Sequence, residues 1–324
     1  MINARPAGRL RFAQLIRQLS PTPRLSVAPA LVAAAAAFPL LLAPSHLDDL
    51  ARVAATSAIF ALAYVVILGF AGQFSLGHAA LYGVGAYATA ILTVRLQWNP
   101  LVALPAAVGA GSVAGLIMGL PALRVRGDQL AVLTLAIGLA AQLLFLNWTP
   151  VTGGFSGIAG IPAPQIGGSA LVDDRSLYLL ALALLAVVTA AVEGLRRSRL
   201  GRAMRAVQHD ELQARALGIR VGLTKLSAFA ISGAIAATAG WVYAESLGYV
   251  SSAAFGITLS VLGVVMVLLA GAGRLYAAIL AGAALAIADT LTQGVPEIEL
   301  AVLGTAMLGA VLWRARSTAS GELL

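Results

Sequence analysis

Long apolar runs, each close to the length of one membrane crossing, alternate with short polar stretches along the chain. A helical span needs about 20 predominantly apolar residues. Read on that scale, the runs predict ten spans. The first is Leu25 to Ala43, too long for the apolar region of a cleaved signal peptide and followed by many more spans. The second runs from about Leu50 to Gly69, the third ends near Arg95, the fourth holds Gly111, Gly115 and Gly119, and the fifth is Gln129 to Trp148. Leu177 to Leu195, Leu226 to Tyr249, Gly256 to Ala270 and Leu275 to Thr292 supply four more, and the tenth ends at Trp313. The expected fold is all-α and polytopic.

The polar stretches divide the rest. Residues 1–24 form a basic tail in which Phe12, Leu15, Ile16 and Leu19 recur at helical spacing. That spacing suits an amphipathic helix on an anionic membrane surface, and a disordered tail fits as well. Residues 25–316 read as a single transmembrane domain and 317–324 as a C-terminal tail. Residues 149–175 are the longest loop on one side, rich in turn formers from Thr152 to Pro162. On the other side, 196–225 carries eight of the 21 basic residues: Arg196, Arg197, Arg199, Arg202, Arg205, Arg215, Arg220 and Lys225. From Arg202 to Leu217 it has neither Gly nor Pro and has the length of about four helical turns. Asp128 opens the fifth run as a plausible helix cap.

Composition agrees with the pattern: 60% of the residues are hydrophobic and 10% charged, against roughly 25% charged in soluble proteins. A pI near 10.6 could suggest nucleic acid, but the Arg residues gather at span ends, which points to the lipid bilayer surface. With the N-terminus inside, Arg124, Arg126, Arg274, Arg314, Arg316, the N-terminal tail and the 196–225 loop are cytoplasmic, and only Arg52, Arg95 and Arg175 face out. Lys and Arg bias orients membrane proteins, so both termini are expected in the cytoplasm of a bacterial cell with the chain in its inner membrane.

Candidate chemistry is sparse. The chain has no Cys, which removes disulfides, thiol catalysis and Cys-ligated metals. A P-loop needs Gly-x-x-x-x-Gly-Lys-Ser/Thr, and the one lysine, Lys225, follows Thr224 in no such context. No catalytic residue, metal ligand set or cofactor is therefore assigned. The densest polar feature is Gly69-Phe-Ala-Gly72-Gln73-Phe-Ser75-Leu-Gly77-His78, continuing to Gly83, Gly85 and Tyr87. Glycine-interrupted polar segments at membrane depth are tolerated where backbone lines a cavity or is buried in protein. Gln73, Ser75 and His78, with Thr134 and Asn147 of the fifth run and Thr152 beyond it, are the candidates to line a substrate path. Close helix packing by the same glycines is the other reading, and both stand. Small residues four apart in the fourth and seventh spans suit helix contact. Asp289 is the one candidate for ion coupling in a stand-alone secondary transporter, and a channel lined by the Gln73–His78 segment is a third reading.

Four stretches, taken in order with the glycine-rich segment, resemble the permeases of branched-chain amino-acid ABC transporters, nearest the LivM-like branch. They are Leu123 to Asp128, Thr152 to Pro162, Ser198 to Val207 with Ala216 to Ile219, and Leu268 to Tyr276. The resemblance implies a subunit of an ABC importer that forms a translocation pathway for amino acids such as Leu, Ile and Val. Related permeases carry urea or short amides, so that substrate class is the alternative. The resemblance also implies partners: ATPase subunits that hold the ATP and Mg, a second homologous permease or a second copy, and a periplasmic substrate-binding protein. The 196–225 loop would dock the ATPase through Gly201, Arg202, Arg205, Asp210, Glu211, Ala214, Leu217 and Gly218. ABC importers in general carry Glu-Ala-Ala, three residues, then Gly in this loop. Counting back from Gly218 puts Leu212, Gln213 and Ala214 there, with Glu211 one position early.

Overall fold

The structure, a computed structural model, describes residues 45–292 apart from positions 126, 167, 168, 172 and 272. The first and tenth predicted spans and both tails lie outside the described residues. Among those described, five helices are long and apolar enough to cross a membrane, and the fold is that of an all-α, multi-pass membrane protein.

Helix α1, Ser45–Tyr64, continues as a wider π-helical turn through Val65–Phe70. After a non-helical break comes α2, His78–Ala90, which ends in another π turn, Ile91–Arg95. Helix α3, Pro100–Gly119, closes with a 3-10 turn, Leu120–Leu123. Asn99 caps it by accepting from the Leu101 N–H, and Pro100 fills the first turn, where a missing N–H costs nothing. Helix α4 is Asp128–Asn147 and α5 is Asp174–Arg197. Gly127, with φ of +59°, takes the cap position of α4, so Asp128 is its first helical residue rather than the cap. There its charge still favours the helix N-terminus. Two helices outside the spans follow, α6, Arg199–His209, and α7, Glu211–Ala216. The chain then forms α8, Val221–Leu247, and the shorter α9, Ile257–Ala270, and α10, Leu275–Thr292.

Burial separates a centre from a periphery. Most of the apolar stretch of α1 and of α8 is buried within the chain (83% and 67%), against 28% for α3, 22% for α4 and 28% for α5. The apolar outer faces of the last three, including Val113, Ile117, Val132, Leu143 and Val187, point away from the protein, as expected for helices solvated by lipid or covered by another membrane subunit.

Small residues set how closely the central helices approach. A Cβ on Gly111 of α3 would stand 2.6 Å from the Gly233 carbonyl oxygen of α8, and one on Gly119 would stand 2.8 Å from the Phe229 Cβ. Gly85 of α2 lies against Ala237, and Gly240 of α8 against the Tyr82 carbonyl. Helices without a hydrophobic driving force between them associate through such close packing.

The two ends of the bundle differ in charge. Leu123 packs on Gly222, Gly273 on Gly69, and Gln208 on Gly72, so Arg124, the 196–225 cations and Arg274 gather at one end, here the basic end. At the other end Arg52 is buried and pairs with Asp49 and, at 3.3 Å, with Asp174, joining α1 to α5. Arg95 there donates to the Pro150 carbonyl at 2.6 Å. The 149–175 segment also lies at this end. Its β1, Ile158–Ala159, pairs antiparallel with β4, Tyr249–Val250, while β2, Gln165–Ile166, and β3, Ser169–Ala170, form a small hairpin. The side chain of Phe155 projects from it almost fully exposed (87%).

Candidate functional site

The glycine-rich stretch is where the helical ladder is interrupted inside the bundle. The chain leaves α1 at Ala71, turns through Gly72 at φ +64°, and starts helix again only at His78. His78 meets Ser232, which lies about 17 Å along an α8 that is about 40 Å long. The start of α2 is thus near mid-depth. The segment is largely buried there, so each freed backbone N–H needs an acceptor.

Those acceptors are found. Gln73 N–H donates to the Ile67 carbonyl at 2.9 Å. Leu76 N–H donates to Thr134 Oγ1 at 3.0 Å, Gly77 N–H to Ser75 Oγ at 3.4 Å, and Ala79 N–H to Ser260 Oγ at 3.0 Å. His78 sits among them with no exposed surface. Its Nδ1 is 3.0 Å from Ser75 Oγ and its Nε2 is 2.9 Å from Ser232 Oγ, whose hydroxyl donates to the Phe229 carbonyl at 3.1 Å. A neutral imidazole carrying its proton on Nε2 satisfies this whole row, with Ser75 donating to Nδ1 and Ser232 accepting from Nε2. Tyr64 flanks the ring at 4.9 Å between centroids, and its hydroxyl donates to the Ser260 carbonyl at 2.8 Å.

Of the six pathway candidates, the structure brings together Ser75, His78 and Thr134, with Gln73 just before them. All four are buried, and their hydrogen bonds go to the broken backbone, to one another, to Ser232 and to the Ala131 carbonyl. Asn147 and Thr152 lie at the far end of α4. Asn147 donates back to the Leu143 carbonyl on an exposed face, and buried Thr152 donates to the Phe145 carbonyl at 2.6 Å. Next to the break is a small crevice between α2, α4 and α9, with room for about one water molecule, lined by Leu76, Ala79, Gly138, Gln142, Phe255 and Ser260. Ser232, Ser260 and Gln142 had no sequence signal beyond being lone polar residues in apolar runs.

The second candidate site is the loop at the basic end. It is not one continuous helix from Arg202 to Leu217. Asp210 is extended, with φ −160°, and its Oδ1 accepts from Leu212 N–H at 2.7 Å and Gln213 N–H at 3.0 Å. Asp favours this capping geometry over the helix interior, so the chain ends α6 and starts α7. Ser198 caps α6 in the same way, accepting from Gly201 N–H. Gly201, Met204 and Val207 face inward on α6, and Arg202 is exposed and donates to the Arg197 carbonyl. Arg205 lies over the Phe70 ring, 6.0 Å from its centroid, which sets α6 across the end of α1. Burial, then the nearby guanidiniums of Arg196 and Arg202, lower the Arg205 pKa from its usual value.

Helix α7 ends at Gly218 with φ +79°. Gly218 N–H donates to the Arg215 carbonyl and Ile219 N–H to that of Ala214, a Schellman motif. Ala214 does not face outward: it is buried, 1% exposed, in a small cluster with Val207 and Val221. Leu212 and Leu217 form the outer face instead, 77% and 79% exposed. Glu211 turns inward and pairs with Lys225. Asp289 lies partly buried in the last turn of α10. Among the described residues no group of three or more His, Asp or Glu could hold a metal.

A model of the family described as the branched-chain amino acid transport system permease component matches residues 46–311. The chain belongs to this family. It is 33% identical to the high-affinity branched-chain amino acid transport system permease protein LivM of Salmonella typhimurium, over 88% of this chain and 72% of that protein. LivM of Escherichia coli gives the same values. LivH of Salmonella typhimurium is 24% identical over 75% of this chain and 84% of its own length. No solved structure matches the chain. The family is a transport component rather than an enzyme, and the chain is a multi-pass membrane permease.

Proposed function

We propose that this chain is a permease subunit of an ABC importer in the inner membrane, carrying a branched-chain amino acid and driven by ATPase subunits bound at the basic end. The observation that carries the reading is the α6–α7 loop. It is ordered outside the spans by two helix caps and a Schellman turn, yet presents Leu212 and Leu217 to the outside. Isolated exposed leucines are ordinary, but two on the outer face of one capped helix in an ABC-type permease suit contact with a hydrophobic groove. The basic end faces the cytoplasm in this reading, as the charge bias requires. The 149–175 segment then faces the substrate-binding protein. The relatives named as branched-chain amino acid permeases support the substrate class. A second, homologous permease would cover one of the apolar faces of α3, α4 or α5. ATP and Mg belong to the ATPases.

The direct test is purification of the chain from its native membrane, followed by reconstitution. Co-purifying ATPase subunits and ATP-dependent uptake of Leu, Ile or Val are expected. Uptake by the chain alone, without ATPase and dependent on an ion gradient, would overturn the reading.

A further inference from the structure

Lys225 is the chain's only lysine, and it is 2% exposed. Its Nζ lies 2.5 Å from Glu211 Oε1 and 3.4 Å from the Ala122 carbonyl. Glu211 is the first residue of α7, Lys225 sits at the start of α8, and Ala122 is in the 3-10 turn that closes α3. One ammonium therefore joins the outer helix of the loop to the ends of two spans. The apolar anchor of α7 is Ala214 against Val207 and Val221, a cluster separate from the main core. Its remaining large side chains, Leu212, Gln213 and Arg215, are exposed.

We propose that the Lys225–Glu211 pair is the strut through which displacement of α7 is delivered to α3 and α8, making both positioning residues for transport. The inference rests on the ATPase-docking role given to the loop above. Its physical basis is that a buried ion pair resists separation far more than an exposed one, because parting the charges leaves the buried Lys225 ammonium uncompensated in a poorly solvated place. The same two helices, α3 and α8, meet along the Gly111–Gly233 seam with no slack. A push at Lys225 and Ala122 acts on both walls of that seam at once.

The test uses the complete importer in proteoliposomes, with uptake and ATP hydrolysis read together and bound ATPase quantified. K225M and E211Q should each lower uptake per ATP by about tenfold or more, and E211D, which keeps a carboxylate for Lys225 and leaves its contact with the Ala122 carbonyl intact, should stay within about threefold of wild type. A tether that serves assembly alone would lower the number of complexes and leave uptake per ATP unchanged. That result in E211Q, which keeps the shape of the side chain, overturns the strut even if K225M fails to accumulate. An E211D importer no better than E211Q also overturns it. Both failures leave the docking role standing, whereas a wild-type chain that holds no ATPase removes the docking role and the strut with it.

Discussion

Thr134→Val separates the two roles open to the glycine-rich segment. Val matches Thr in shape and removes only the hydroxyl. Thr134 has no exposed surface, and its Oγ1 accepts from Leu76 N–H at 3.0 Å while donating to the Ala131 carbonyl of its own helix at 3.0 Å. Loss of the second bond matters little, because a helical carbonyl such as that of Ala131 keeps its backbone donor. Loss of the first strands the Leu76 N–H in the break, where the segment has no helical partner to offer. An unsatisfied buried donor costs about 1–3 kcal/mol. Thr134→Val should therefore lower the stability of the purified permease by about that amount, and Thr134→Ser should restore most of it. Thermal unfolding in detergent, followed alongside uptake kinetics, reads both quantities. The stability loss should come with little change in the substrate concentration for half-maximal uptake. If Thr134→Val unfolds like wild type but shifts that concentration several-fold, the hydroxyl serves substrate and the structural account of the break is wrong.

The remaining predictions address the two ends and the seam between helices. In a chain free of cysteine, Phe155→Cys should react with an impermeant thiol reagent in intact cells, while Leu217→Cys should react only after permeabilisation; the reverse would invert the orientation. Leu212→Glu and Leu217→Glu should abolish ATPase association without altering thermal stability, and retained association would remove the exposed leucines from the interface. Asp210→Ala removes the cap of α7 and should cost about 0.5–2 kcal/mol, visible as faster proteolysis of the loop; unchanged proteolysis would mean that α7 does not depend on its cap. Gly233→Leu forces a side chain into the α3–α8 contact and should destabilise by about 1–3 kcal/mol or more, so normal yield and melting would show the seam to be loose.

Much of the architecture could be read from local pattern, since span length and glycine spacing depend on neighbours in sequence. The runs at 50–69, 129–148, 177–195, 226–249, 256–270 and 275–292 correspond to α1, α4, α5, α8, α9 and α10 within a few residues. Gly111 and Gly115 do face the small residues of α8. What escaped was set by partners far along the chain. The acceptors for the broken segment, Thr134 and Ser260, and the His78 partner Ser232 are 58, 181 and 154 residues from the groups that they bind. No periodicity reports such pairing. The break at Asp210 was misread for another reason: the absence of Gly and Pro permits a continuous helix, but a capping Asp followed by a short helix competes with it. The family resemblance puts Ala214 at the ATPase contact by its register before Gly218, whereas in the structure it is buried against Val207 and Val221.

The two candidate sites adjoin each other in the structure. The non-helical segment begins directly beneath the loop: Arg205 stands over Phe70, and a Cβ on Gly72 would lie 2.8 Å from Gln208 Cγ. It ends near mid-depth, where His78 and its hydroxyl partners fix the start of α2 to α4, α8 and α9. Backbone without a helical ladder is the part of a span that can change shape without breaking a continuous row of bonds. Its bonds go instead to side-chain hydroxyls, which rotate and can exchange partners. A displacement of α6 would therefore bear on Gly72 first and reach the hydroxyl cluster through the six non-helical residues 72–77, while in the proposed strut α7 acts on α3 and α8 through Lys225. Packed helices shift as rigid bodies between discrete arrangements, so a bundle made only of such helices would have to move as a whole. A break at this point would let the basic end move without the whole span, which gives the glycine-rich segment a reason to be polar and irregular even where no substrate touches it.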